Sequence, residues 1–297
     1  MKPKAGERAV QVIVALLKSS CYLGLFLGMQ VLVMLPVAFI AGIQQAIGGQ
    51  EVGDQLYHML IDNAMLFSLI SGGLTIVAVL AFYLIRQKKL SEALWLRRVD
   101  AASLWAGASL APALYLIVIL VMAALPEAWM ESYNEASSGI ASGGAATLIA
   151  TVLVAPVVEE FIFRGLIMSR LSKAMPGWLA VLLSAAIFGI CHGHPVWFCY
   201  TFVLGAFFGF VDLRTGSIWP SILAHLTFNA IGQAFTLAPE SEAGTLITLG
   251  VVLLAGIAAP ILDRKGISGL FRPVPRVQAV PALPMVPGVY EFDPWEE

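Results

Sequence analysis

The sequence predicts an all-α fold, a polytopic membrane helix bundle of about eight transmembrane helices. Three observations predict it. The 297 residues are 59% hydrophobic and only 12% charged, against roughly 45–50% and about 25% in a soluble domain. Apolar windows of spanning length recur along the chain, a spanning helix needing about 20 such residues. Finally, Lys and Arg are confined to alternate connections, as they are in membrane proteins whose cytoplasmic loops are basic.

The windows run approximately over 20–43, 64–85, 102–124, 145–171, 177–193, 195–212, 217–237 and 244–262. The first follows a basic start, Lys2, Lys4 and Arg8. It is too long for the apolar core of a signal peptide, and no small-residue cleavage site follows it, so it is read as a membrane helix. Leu17-Lys18-Ser19-Ser20-Cys21 is not a lipoprotein box, because Lys18 stands where an apolar residue is needed. The fifth and sixth windows are short and nearly contiguous.

Alternation puts the N-terminus, the 86–100 loop, the 172–176 and 213–216 turns and the C-terminus on one side. That side collects Arg86, Lys88, Lys89, Arg97, Arg98, Lys173, Arg214, Arg264 and Lys265. The opposite connections hold no Lys or Arg and carry Glu51, Asp54, Asp62, Glu127, Glu131, Glu135, Glu240 and Glu242. The expected location is therefore a cell membrane, crossed several times, with both termini cytoplasmic. Residues 1–265 are expected to form one membrane domain whose motif-bearing core is 145–237. Residues 126–143 read as an external loop, and 266–297, with six prolines from Pro273 to Pro294, as a disordered extended tail.

The net charge of −2 excludes nucleic acid as a partner, since there is no basic excess to neutralise phosphates. Cys21, Cys191 and Cys199 are too few and too scattered for a disulfide framework or a zinc cluster. They read as inert thiols in apolar surroundings.

Ionisable groups in hydrocarbon cost roughly 2.5–3.5 kcal/mol each on insertion scales, and here they cluster. Glu159, Glu160 and Arg164 lie inside the fourth window. Glu160 and Arg164 are i,i+4 neighbours with the acid first, the favourable order for an ion pair. Glu159 is rotated about 100° away and is read as the free base facing a polar cavity. Phe188 and His192 share a face at the end of the fifth window, and His225 and Asn229 share one in the seventh. Each pair alone is compatible with plain packing or interhelical hydrogen bonding. Together they supply what peptide hydrolysis needs: a base for water, donors for the oxyanion and an acid for the leaving amine. Glu159 serves as base and then acid. Asn229 and one histidine hold the oxyanion, and the other histidine orients the water or holds Glu159. His194 competes with His192 for the second motif, and the spacing from Phe188 favours His192. Asp212, with Arg214 beside it, reads as a helix-end charge.

These motifs, Glu-Glu-x-x-x-Arg, Phe-x-x-x-His and His-x-x-x-Asn in that order, resemble those of the CaaX protease and bacteriocin-processing (CPBP, or Abi) family of intramembrane proteases. The resemblance runs from Val154 to Gly232 and includes Leu204-Gly205-x-x-x-Gly209 and the stretch Leu213 to His225. It implies an intramembrane endopeptidase that hydrolyses a peptide bond with a glutamate-activated water, in a cavity open to the cytoplasm. It also implies that Glu159, His192, His225 and Asn229 form the site, supported by Glu160 and Arg164. The partners expected are a protein or peptide substrate and membrane lipids. Two His, one Asn and two Glu are able to hold a zinc ion, but there is no His-Glu-x-x-His helix, and the favoured reading has no metal and no cofactor. Two rival readings remain at this level: a non-catalytic scaffold or bacteriocin-immunity protein, and a proton-coupled transporter. A Glu159→Gln protein separates them, because a scaffold tolerates that change.

Overall fold

A computed structural model describes residues 5–48, 64–87, 89–141, 148–239 and 241–271. Among them the chain is helical throughout, in the order α1 (Ala5–Gly48), α2 (Ala64–Ile85), a short α3 (Leu90–Ala93), α4 (Ala101–Ala123), α5 (Glu127–Ala141), α6 (148–174), α7 (Gly177–Ile190), α8 (Pro195–Thr215), α9 (Trp219–Leu237), α10 (Glu242–Leu262) and α11 (Arg264–Phe271). Five helices, α1, α2, α4, α8 and α10, are long and apolar enough to cross a membrane. α7 is apolar but shorter, and α6 carries the charged cluster. The membrane helix bundle is as predicted, and each of the eight windows coincides with a helical segment, although only five meet the length and hydropathy of a span.

The outer helices face lipid. In α1, Leu32, Leu35 and Phe39 are each at least 60% exposed, as are Leu246, Ile247 and Leu254 in α10. Apolar area on that scale has no place in water, and the chain is a multi-pass membrane protein. The interior is built on α6. Its nine residues Glu160–Met168 are all buried, packed between α1, α7 and α8, while α2 lies against the preceding residues 150–159.

Three boundaries differ from the sequence reading. Within the segment 126–143, expected as a loop, residues Glu127–Ala141 form the helix α5. Its polar, small residues suggested a loop, but Met130, Tyr133 and Ser137 make a half-buried stripe at helical spacing. Tyr133 stands edge-on to Trp197 of α8, centroids 6.3 Å apart. Residues 266–271, expected within the tail, belong instead to α11, with Leu270 buried. The Arg214 guanidinium donates to the Leu270 carbonyl. The proline-rich stretch 272–297 lies outside the described residues, as do Lys2, Lys4, Glu51, Asp54, Asp62, Lys88 and Glu240. The third difference is at α7, which stops at Ile190. Gly193 turns the chain at φ +73°, a conformation that glycine adopts without steric cost. Pro195 then opens α8, capped by His194, whose Nδ1 accepts the Val196 N–H.

Close packing around α6 depends on Gly205 and Gly209 of α8. A Cβ at Gly205 would lie 3.0 Å from Ala185 and 3.2 Å from the Arg164 guanidinium; one at Gly209 would lie 2.9 Å from the Met168 sulfur. Small residues four apart let helix backbones approach this closely.

The contacts also sort the bundle into two ends. At one, the Ile218 N–H donates to the Trp95 carbonyl, Ser217 to Arg97 O and Ser169 to Ala93 O. This end gathers the connections that carry Arg86, Arg97, Arg98, Lys173, Arg214 and Arg264. The other end gathers α5, the His192–His194 turn, the start of α6 and the end of α9.

Candidate active site

α6 is not a uniform α-helix. Ala150–Val154 and Glu160–Met168 are wound as π-helix, with α-helix at Ala155–Glu159 and Ser169–Ala174. Wide-turn windings of this kind concentrate at functional sites. Pro156 accounts for one local consequence. In the π register the Ala155 N–H reaches Ala150 O, so the Thr151 carbonyl would take its proton from residue 156, and proline has none. Asn229 fills that place, its side-chain amide donating to Thr151 O at 2.8 Å. One amide proton of Asn229 is thereby fixed while the residue lines a cavity of about 610 Å³.

Glu159, His192, His225 and Asn229, the four residues expected to carry chemistry, all line that cavity together with Phe188. Glu159 is at its base with a quarter of its side chain exposed, and its Oε2 lies 3.7 Å from His225 Nε2. On its other side the His225 ring meets Glu160, Nδ1 to Oε1 at 2.9 Å. Glu160 and Arg164 are wholly buried and paired at 3.2 Å, as the i,i+4 reading required. Because Glu160 accepts from Nδ1–H, His225 can donate from Nε2 only as the imidazolium. Phe208 stacks on that ring with centroids 4.7 Å apart.

His192 stands in the turn just beyond α7. Its Nδ1 lies 2.8 Å from the Phe188 carbonyl. A carbonyl only accepts, so Nδ1 carries the proton, and the ring closes one of the carbonyls left open where a helix stops. In the neutral ring Nε2 is then an acceptor. Phe188 joins the parts: its ring is edge-on to both His192 (4.7 Å) and His225 (6.2 Å), and the Arg164 guanidinium lies 4.5 Å over its face. α7 ends at Ile190, and His192 beyond it lines the same cavity as Glu159 and His225.

His194 does not line the cavity. It caps α8, and its Nε2 is 3.2 Å from Ser132 of α5. Asp212 is a correction to the sequence reading: it is fully buried and accepts a hydrogen bond from Ser221 at 2.8 Å. α9 begins directly after the Gly216 turn and folds Ser221 back over it, which the neighbouring Arg214 concealed. Tyr115, Tyr133, Trp197 and Tyr200, which wall the cavity, were not singled out from the sequence, where aromatic residues in apolar helices carry no separate signal.

Among the described residues no three His, Cys, Asp or Glu side chains converge as a metal site. His225 and His192 each commit Nδ1 to a hydrogen bond, which leaves Nε2 as the nitrogen open to another partner.

The cavity reaches the surface away from the basic connections. Its outermost lining residues, Met122, Ser137, Leu148, Trp197 and Thr236, belong to the end of the bundle that lacks Lys and Arg. The outer lining of the cavity and the basic connections thus lie at opposite ends of the bundle.

Comparison with known proteins agrees with the motifs. Residues 141–231 match the family described as Type II CAAX prenyl endopeptidase Rce1-like. The chain is 35% identical over 92 residues to "Putative membrane peptidase YdiL" of Bacillus subtilis (strain 168), covering 31% of this chain and 38% of that protein. It is 27% identical over 140 residues to "CAAX prenyl protease 2" of Homo sapiens, 38% of this chain and 42% of that protein. The Caenorhabditis elegans protein of the same name is 27% identical over 100 residues, 27% of this chain and 38% of the relative. The chain thus spans about two fifths of the length of the curated relatives it matches. No solved structure matches. Over the segment that carries all three motifs, the chain is similar to the Rce1-like membrane endopeptidases.

Proposed function

We propose that the chain is an intramembrane endopeptidase that hydrolyses a peptide bond with a water activated by Glu159. The observation that supports this best is the Glu159 carboxylate at the base of a cavity, partly exposed, facing a histidine that a second carboxylate orients.

In this reading the substrate carbonyl lies above Glu159. His192 Nε2 accepts from a water and orients it. Glu159 takes one proton from that water as its oxygen bonds to the carbonyl carbon. The carbonyl electrons move to oxygen, and the oxyanion is met by His225 Nε2–H and the remaining Asn229 amide proton. Glu159 then returns the proton to the amine nitrogen as the C–N bond breaks. Water is consumed, one acid and one amine leave, and the enzyme is restored. Each oxyanion donor contributes about 10²–10³ in turnover. The reading requires no metal or cofactor. The basic end lies in the cytoplasm with both termini, and the partners are a protein or peptide substrate and membrane lipids.

The test compares cells carrying the wild type with cells carrying Glu159→Gln, at matched membrane levels, by mass spectrometry of protein termini. New termini present only with the wild type are expected. Identical termini in both, with both proteins folded, would remove the reading.

A further inference from the structure

We infer that the active-site cavity is entered from the extracytoplasmic face, so that the substrate is an exported peptide or an extracytoplasmic, membrane-adjacent segment of another protein. The inference rests on the endopeptidase reading for its chemistry, but its geometry stands apart from it.

Two independent observations carry it. The first is where the cavity ends. Met122 is next to the last residue of α4, Thr236 next to the last of α9, and Trp197 close to the start of α8. Tyr133 and Ser137 of α5 complete that rim. Toward the opposite end the cavity is stopped. Arg164, Phe208, Asp212 and Ser221 are each fully buried beneath Glu159 and His225, and the hydrogen bond between Ser221 and Asp212 ties α8 to α9 across that floor.

The second is charge. The connections at the rim end, including the sequence between Gly48 and Ala64 and between Ala141 and Leu148, contain no Lys or Arg. The connections at the floor end contain Arg86, Lys88, Lys89, Arg97, Arg98, Lys173, Arg214, Arg264 and Lys265. All of them are short or lie close to helix ends, the situation in which basic residues fix orientation. With the basic end held in the cytoplasm, the rim faces out.

The cavity also limits what enters. Glu159 lies roughly 16 Å along α6 from Leu148 at 1.5 Å per residue. An extended chain advances about 3.3–3.6 Å per residue, so some five residues must unfold to bring a bond to the glutamate. The walls, with Tyr115, Tyr133, Trp197, Tyr200 and Phe228, suit apolar side chains beside the cut. The substrate is thus a flexible apolar stretch, not a folded surface.

The test uses the full chain in bacterial cells, with Cys21, Cys191 and Cys199 replaced by Ala and one new cysteine at a time. Ala136→Cys lies on exposed α5 beside the rim, and Ser268→Cys on exposed α11 at the floor end. A membrane-impermeant maleimide is expected to modify Ala136→Cys in intact cells and Ser268→Cys only after permeabilisation. The reverse pattern would overturn the inference. The termini that depend on Glu159 give the second readout: cuts in extracytoplasmic segments are expected, and cuts in cytoplasmic segments would overturn the substrate assignment while leaving the endopeptidase reading intact. If no terminus depends on Glu159, the endopeptidase reading falls and with it the substrate assignment, and the maleimide pattern still decides which face the cavity opens to.

Discussion

Arg164 and Arg170 stand on the same helical segment, both buried, and the protein neutralises them in opposite ways. Arg164, under the cavity, pairs with Glu160 at 3.2 Å and lies over the faces of Phe188 and Phe208. None of its nitrogens makes a well-formed hydrogen bond among the described residues, and Glu160 Oε2 is likewise without one. Arg170, toward the closed end, donates to the carbonyls of Ala93, Gly165 and Leu166, to Ser169 and to the Tyr83 hydroxyl. Its guanidinium also lies 4.7 Å over Tyr22. The cavity end thus keeps charge on groups that face other ionisable groups, whereas the closed end spreads it over backbone dipoles. The difference teaches that one helix is divided between chemistry and anchorage.

The largest effect that would sharpen this division is on turnover. Glu159→Gln keeps the shape of the side chain and removes the base, and a general base contributes about 10²–10⁴-fold. Cleavage of a substrate identified from its termini should fall by at least that factor, with the melting temperature in detergent unchanged, because among the described residues the carboxylate's ion-pair partner, His225, stands no closer than 3.7 Å. A variant that loses stability along with activity would place Glu159 in the anchorage instead.

Much of the cavity end was legible in the sequence. Charged residues in an apolar run are conspicuous, and the spacings of Glu160 to Arg164, Phe188 to His192 and His225 to Asn229 put each pair on one helix face. The closed end was not legible in the same way. Arg170 reads as one more basic residue near a cytoplasmic turn, and its partners are backbone carbonyls, which leave no trace in residue identity. Asp212 was misread for a related reason: its burial comes from a neighbouring helix, which local sequence does not report. Helix α5 was hidden by its small polar residues, and the side on which the cavity opens needed the three-dimensional sorting of helix ends.

Next in size is Arg164→Ala. It strands Glu160 beside His225 in the interior, and removing one partner of a buried pair costs about 3–5 kcal/mol. Thermal unfolding in detergent should show a loss far larger than for Glu159→Gln. Equal losses would break the assignment of Glu160 as the partner of Arg164.

Arg170→Met should come below that. Methionine fills the space, and the cost is the carbonyls and hydroxyl left open, about 1–3 kcal/mol for a buried group that loses its partner. Below the melting temperature, the turnover of this variant should match the wild type. A fall in kcat in fully folded protein would mean that the closed end also tunes the site.

The smallest effect lies at the start of α4, at the basic end, where Asp100 caps the helix. Its carboxylate accepts the Ser103 N–H at 2.7 Å, and that hydrogen bond holds the carboxyl below its usual range. A carboxyl with a depressed folded-state value stabilises the fold above the unfolded value, and that contribution is lost as pH falls through the folded one. Asp100→Ala should therefore lower the melting temperature slightly at neutral pH, the ordinary consequence of losing an N-cap. The gap to the wild type should close as the pH is taken down through the carboxylate range. Because the cap is fully exposed, salt and solvent screen it, and the loss should be smaller than that of either arginine variant. A gap that stays constant with pH would show that the backbone geometry at residue 100, and not its charge, is what starts α4.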